Sequence, residues 1–302
     1  MTLRFSGYVE LPEHKGMGGF DHAAVHAASG HVYVAHTAND AIDVFDPAAG
    51  RYLYSVPGLA GVAGALVSDE ADLVFSSNRA GNTIGVFAPG PNPSVRHAEV
   101  GDRPNGLAYD HRRKLALAAN VGEPYTLSMI HLETGVRTEI AVPGRTRWSL
   151  YDPGLDRFFV NISQPSQIVV VDPELDDLAG TIAVPHAGAH GLDIDPARKR
   201  LFCACDAGVL VALDARTGRV LGEQKLSGVP DVVWFNARRQ QLYVAVGDPG
   251  VVDVFSTSPL RRIQTVETER GAHTTAYAAK AQQLHVFLPQ THRAATYEIG
   301  DG

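Results

Sequence analysis

A repeat of about 42 residues runs through the whole sequence, and it limits the possible folds more than any other feature. Seven segments align on the apolar residues that open each unit: "FDHAAVHAASGHVYVAH", "VAGALVSDEADLVFSS", "PNGLAYDHRRKLALAAN", "RWSLYDPGLDRFFVN", "AHGLDIDPARKRLFCAC", "PDVVWFNARRQQLYVAV" and "AHTTAYAAKAQQLHVFL". One column of the alignment reads Asp21, Ala63, Asn105, Arg147, His190, Asp231 and His273, at steps of 42, 42, 42, 43, 41 and 42 residues. Each unit is all β in character. An alternating strand ("GLDID") is followed by a turn rich in Asp, Pro and basic residues ("DPARKR") and a short apolar strand ("LFCA"). A loop of Asn, Gly and Pro then leads to a third strand ("VLVALDARTG") and a fourth ("RVLGEQKL"). No long amphipathic helix interrupts this period-two pattern.

Four strands in 40–45 residues is the spacing of a propeller blade, whereas a β-sandwich has no need of seven equal repeats. The ends agree with a closed ring. The last unit has three strands ("TTAYAAK", "LHVFL", "ATYEIG") and stops, while an orphan strand, "RFSGYVEL", precedes the first unit. Pairing the two hides an open sheet edge. The expectation is therefore one domain over residues 1–302, an all-β, seven-bladed β-propeller whose last four-stranded blade is closed by the N-terminal strand.

"VYVAHTANDAIDVFDPAAG" and "VFSSNRAGNTIGVFAPG" resemble the YVTN-type propeller repeat, and "VLVALDARTGRV" and "MIHLETGVR" fit its third strand and turn. The resemblance covers the chain and is more specific for fold than for function. It implies a relationship to the superfamily of propellers that includes lactonases and streptogramin-type lyases. No Cys-x-x-Cys-His haem motif is present.

Net charge is −7 with no basic run, which argues against nucleic acid and gives no support for an acidic membrane surface. No apolar run approaches the roughly 20 residues that span a bilayer. "GMGGF" lacks the GKS/T ending of a phosphate loop, so no nucleotide is expected. Gly-x-Ser-x-Gly and His-Glu-x-x-His are also absent. Cys203 and Cys205 lie two apart on one strand and are expected to be free thiols. With no signal peptide pattern at the N-terminus, they point to the cytoplasm.

In a propeller the first strand of each blade lines the central channel, so the aligned column forms a ring at its mouth. A symmetric scaffold has no need to vary that column, yet it holds Asp21, Asn105, Arg147, Asp231 and the two histidines His190 and His273. His22 takes the place of Asp21 if the first blade shifts by one residue. Loops between second and third strands bring His36, Arg79, Asp206 and His292, among others, to the same face. His22, His190, His273 and Asp21 make a mixed N/O set for a divalent metal, with Zn, Fe, Mn, Ni, Cu and Mg not distinguished by ligand type. Without a metal, a ring histidine oriented by Asp231 serves as general acid/base. His190, His273 and Asp231 are thus the catalytic candidates. Arg147, Asn105, His36, His292 and Trp148 are the substrate-binding candidates, Arg147 through a substrate carboxylate. The expected function is hydrolysis of a lactone-like substrate or elimination at the channel mouth. The alternative is a non-catalytic scaffold for a peptide or protein partner.

Overall fold

The computed structural model describes residues 3–300, in which the seven repeats form seven four-stranded antiparallel sheets. Blade 1 is Phe20–Val25, Val32–His36, Ala41–Asp46 and Arg51–Pro57. Blade 5 is Ala189–Asp195, Arg200–Cys205, Val209–Asp214 and Val220–Lys225. Blade 7 takes Thr275–Ala278, Gln283–Leu288 and Arg293–Ile299 from the C-terminal end and Leu3–Glu10 from the N-terminal end. The closing pair runs antiparallel from Leu3 opposite Ile299 to Glu10 opposite Arg293. The ring is therefore fastened by backbone hydrogen bonds between the two ends of the chain, as the incomplete last repeat predicts. The only helical segment among the described residues is a single 3-10 turn at Thr37–Asn39, and no helix is long and apolar enough to cross a membrane.

The strand sequences follow from how the blades stack. The two middle strands of each blade pack against neighbouring blades on both faces, so they read as continuous apolar runs; every residue of "VYVAH" in blade 1 is buried. The outermost strands alternate between exposed and covered residues, as in "VLGEQK". Buried apolar side chains form seven clusters, one between each pair of adjacent blades. At the closure, Phe20 packs 5.6 Å from Phe287 between ring centroids, and Phe45 lies 6.0 Å from Phe287. Burying one such ring contributes about 1.5–3 kcal/mol. Cys203 and Cys205 are free and buried in the core between blades 4 and 5.

Two local features shape the channel. The first strand of six blades carries a register shift near its start, between Phe20 and Ala23, Val62 and Gly64, Pro104 and Leu107, Thr146 and Ser149, Ala189 and Gly191, and Pro230 and Val233. Such a bulge re-aims consecutive side chains. The second feature is Gly64, Gly106 and Gly191, each just after the ring column. A Cβ on Gly191 would lie 2.1 Å from the carbonyl oxygen of Asp231, so only glycine lets blade 6 approach His190 this closely.

Candidate active site at the channel mouth

Four consecutive blades contribute a continuous polar arc. His190 donates from Nδ1 to Asp206 Oδ1 at 2.7 Å, and its Nε2 lies 3.3 Å from Asp231 Oδ1. Asp231 Oδ2 lies 3.9 Å from Nε2 of His273. On the other side Arg147 Nη1 is 3.5 Å from His190 Nε2, and Arg147 Nη2 is 3.8 Å from Asp206 Oδ2. Asn161, at the end of the neighbouring second strand, fixes the backbone here by donating to the carbonyls of His190 and Gly191 at 2.8 and 3.1 Å.

This geometry sets the charges. Burial opposes a charge on His190, but Asp231 and the hydrogen bond to Asp206 outweigh it and push its pKa up to about 9. Burial likewise opposes the Asp231 carboxylate, yet His190, with His273 and His22, holds it well below the usual range. His190 is thus an imidazolium clamped between two carboxylates. His273 differs: its Nδ1–H donates to the Gly271 carbonyl at 2.7 Å, which leaves Nε2, on the side of Asp231, as the nitrogen not engaged by the backbone. Arg147 is partly shielded from solvent, and that desolvation lowers its pKa, as does Arg145 nearby. Its Nε atom is buried and has no hydrogen-bond partner among the described residues, and the nearest carboxylate oxygen of its ion pair with Asp206 is 3.8 Å away.

The opposite side of the ring is closed by a residue that the repeat alignment places in a loop. Ala63 leaves blade 2 without a polar group in the ring column. Arg79, from the loop after that blade's second strand, fills the gap, donating to Asn105 Oδ1 at 2.6 Å and pairing with Asp21 Oδ2 at 3.2 Å. The ring therefore holds two arginines, Arg147 and Arg79, and Asp21 pairs with the second. Asn105 is spent on Arg79.

The register of blade 1 has a different answer from either sequence alternative. The bulge between Phe20 and Ala23 delivers both neighbours: Asp21 faces the mouth, and His22 packs one layer deeper with its ring 4.3 Å from that of Trp148. Burial lowers the pKa of His22. Blade 4 repeats this division, with Arg147 at the mouth and Trp148 lining a cavity below it. Trp148 is accordingly a wall of the inner channel rather than of the mouth.

The divalent-metal set His22, His190, His273 and Asp21 does not fit this arrangement. Both ring nitrogens of His190 face carboxylates and its raised pKa keeps both protonated at neutral pH, His22 packs against Trp148, and Asp21 is paired to Arg79. Among the described residues no group of three His, Cys, Asp or Glu side chains is able to hold a metal ion. His36 and His292 are also misplaced as substrate contacts. His36 is fully buried, with Nδ1 2.6 Å from Asp43 Oδ2 and Nε2 2.6 Å from His14 Nδ1. The His292 ring lies 4.3 Å from that of His14. These residues seat the segment after the N-terminal strand on the junction of blades 1 and 7. Asp206, which the sequence identifies only as one loop residue among many, is the group that fixes His190.

No family model matches the chain, and no curated protein matches it. Solved structures do resemble it in fold. A chain of Kuenenia stuttgartiensis hydrazine synthase is similar with a TM-score of 0.82 at 11% identity, over 92% of this chain and 95% of that one. A chain of a structure described as a mitotic checkpoint complex is similar with a TM-score of 0.84 at 10% identity, over 99% of this chain and 94% of that one. At such identities the likeness is one of fold, and the fold of this chain is that of a seven-bladed β-propeller.

Proposed function

We propose that the chain is a small-molecule enzyme whose channel mouth binds a carboxylate-bearing substrate and removes a proton from the carbon next to that carboxylate. The observation that carries this reading is Arg147. Its guanidinium is largely shielded from solvent, its Nε has no partner among the described residues, and its other contacts are long, 3.8 Å to Asp206 Oδ2 and 3.5 Å to His190 Nε2, which is costly unless an anion completes it. A substrate carboxylate is the planar, two-oxygen partner that suits it. Arg147 also lines a groove of about 860 Å³, together with Tyr125, Arg145, Gln164, Ser166 and Asp206, which is within the size range of small-ligand sites.

His273 is the base in this reading. Its Nε2 takes the proton, and Asp231 stabilises the imidazolium that results. Both N–H groups of His190 are committed to carboxylates, so His190 contributes its fixed positive charge near the anion rather than a proton. When the neighbouring carbon carries a leaving group, the electron pair released by deprotonation forms the C=C bond, and the group departs with its bonding pair. This favours elimination, the lyase branch of the sequence expectation, over metal-assisted hydrolysis.

The test is exchange of substrate protons for deuterium. A panel of small β-hydroxy and β-amino carboxylates and lactones, incubated with the protein in heavy water, is followed by proton NMR. The reading expects loss of the signal next to the carboxylate in the wild type. His273→Gln should abolish the exchange, and Arg147→Met should raise KM at least roughly tenfold. Absence of exchange and of ring opening across the panel would refute the enzyme reading and favour the scaffold alternative. A partner whose binding survives both substitutions would support that alternative.

A further inference from the structure

Below the mouth lies a second, smaller compartment of different chemistry, a cavity of about 250 Å³. Trp148, Trp234, Tyr109 and Tyr151 form much of its wall, and His22 and Trp148 stand between it and the charged ring. The layer of first-strand residues three positions beyond the ring column is Ala24, Leu66, Ala108, Leu150, Asp193, Trp234 and Ala276. Six of these seven positions are apolar, and the remaining one, Asp193, is a carboxylate that lines the cavity; the other carboxylate in its lining, Glu70, is exposed.

Asp193 accepts two backbone N–H groups, from Phe235 at 2.6 Å and from Ile194 at 2.8 Å. Among the described residues no cationic side chain pairs with it. Burial, only partly opposed by those two amides, raises its pKa to about 7. The aromatic walls are held rigidly. Trp234 donates from Nε1 to the carbonyl and hydroxyl oxygens of Thr275, each at 3.1 Å, and stands edge-on to Trp148 with centroids 5.9 Å apart. The Tyr151 hydroxyl is tied outward to Asp156 at 2.6 Å, and its ring packs 4.7 Å from Phe158.

We infer that this inner cavity is a binding site for a compact organic cation, with Asp193 as counter-charge and the indole and phenol rings as its walls. Aromatic faces attract ammonium groups through their negative π surface, most strongly when water is excluded, and tryptophan is the best such surface. A carboxylate without a cationic partner supplies the charge that aromatic rings alone lack. The volume is below the usual range for drug-sized ligands, so the ligand is a small amine or quaternary ammonium. The site is separate from the mouth: it takes a cation, uses neither Arg147 nor His273, and stands or falls independently of the proposed reaction.

The protein has two tryptophans, and both line this cavity, so intrinsic fluorescence reports on it directly. The experiment titrates wild-type protein with choline, tetramethylammonium and butylammonium, and with 3,3-dimethylbutan-1-ol, the uncharged isostere of choline. Saturable fluorescence changes with the cations, and choline binding at least about tenfold tighter than its neutral isostere, are the expected result. Asp193→Asn should remove that preference while leaving the isostere unchanged. Trp148→Leu, followed by calorimetry, should weaken choline while the isostere loses less. Equal binding of choline and the isostere would overturn the inference, because the cavity would then be merely apolar. Absence of a saturable response to any of the three cations would overturn it too.

Discussion

His190 is expected to remain protonated well above neutral pH, and the size of the effect follows from its surroundings. Burial works against the charge, while Asp231 and Asp206 overcome it, moving the pKa from 6.5 to about 9. A rise of that size corresponds to about 3 kcal/mol of coupling between the proton and the folded state. The folded pKa lies above the unfolded one, so the stabilisation is complete below pH 6.5 or so and is lost as pH rises through about 9. Urea unfolding of the wild type and His190→Gln at several pH values between about 6 and 10 follows this contribution, because titrating groups not coupled to His190 cancel in the difference. The stability gap between the two proteins should narrow by about 3 kcal/mol over that interval. Long-range proton–nitrogen NMR of the imidazole should give a midpoint near 9. A midpoint at or below 6.5, or a gap that does not narrow, would refute the clamped imidazolium and with it the positive charge assigned to the mouth.

Three other perturbations test separate parts of the structure. His273→Gln should lower turnover by roughly 10²–10⁴-fold, the usual contribution of a general base, while thermal unfolding stays near the wild-type temperature because the side chain is half-exposed. Gly191→Ala should displace Asp231, whose carbonyl would lie 2.1 Å from the new Cβ; lower melting temperature and a lower His190 midpoint by NMR are the expected signs. Phe287→Ala should cost about 3–5 kcal/mol in denaturant unfolding, since it removes a fully buried ring from the core that joins blade 7 to blade 1.

The fold was legible because blade stacking imposes the same demand seven times. Each middle strand must be apolar on both faces, and each first turn must reverse the chain in a few residues. Asp195, for example, accepts the backbone N–H groups of Ala197 and Arg198 in the turn "DPARKR". Errors in single strands therefore average out over the repeat, and the missing fourth strand of the last unit points directly to Leu3–Glu10. The membership of the ring was only partly legible. His190, Asp231 and His273 come together as the alignment column implies. The column leaves Arg79 out of the ring, because it records which backbone position faces the channel and says nothing of a long side chain that reaches in from a loop. His36 and His292 fail for the opposite reason: their loops lie on the correct face, but their rings turn into the blade 1–7 junction to pack with His14.

The bulge explains the remaining difference between sequence and site. In a regular strand Asp21 and His22 would face opposite sides, so a sequence reading must choose one of them for the channel. A bulge removes that choice and sends the two neighbours to different depths. The same device places Arg147 at the mouth and Trp148 beneath it, and in both blades the deeper residue helps wall off the inner cavity. Where the following residue is glycine, as after His190, the space is given instead to the next blade, and the reward is the short distance between His190 and Asp231. One irregularity repeated around the ring thus separates a charged mouth from a largely aromatic and apolar cavity. Moving either member of such a pair by one residue would exchange the chemistry of the two compartments, which is why the residue after each ring position carries as much functional information as the ring position itself.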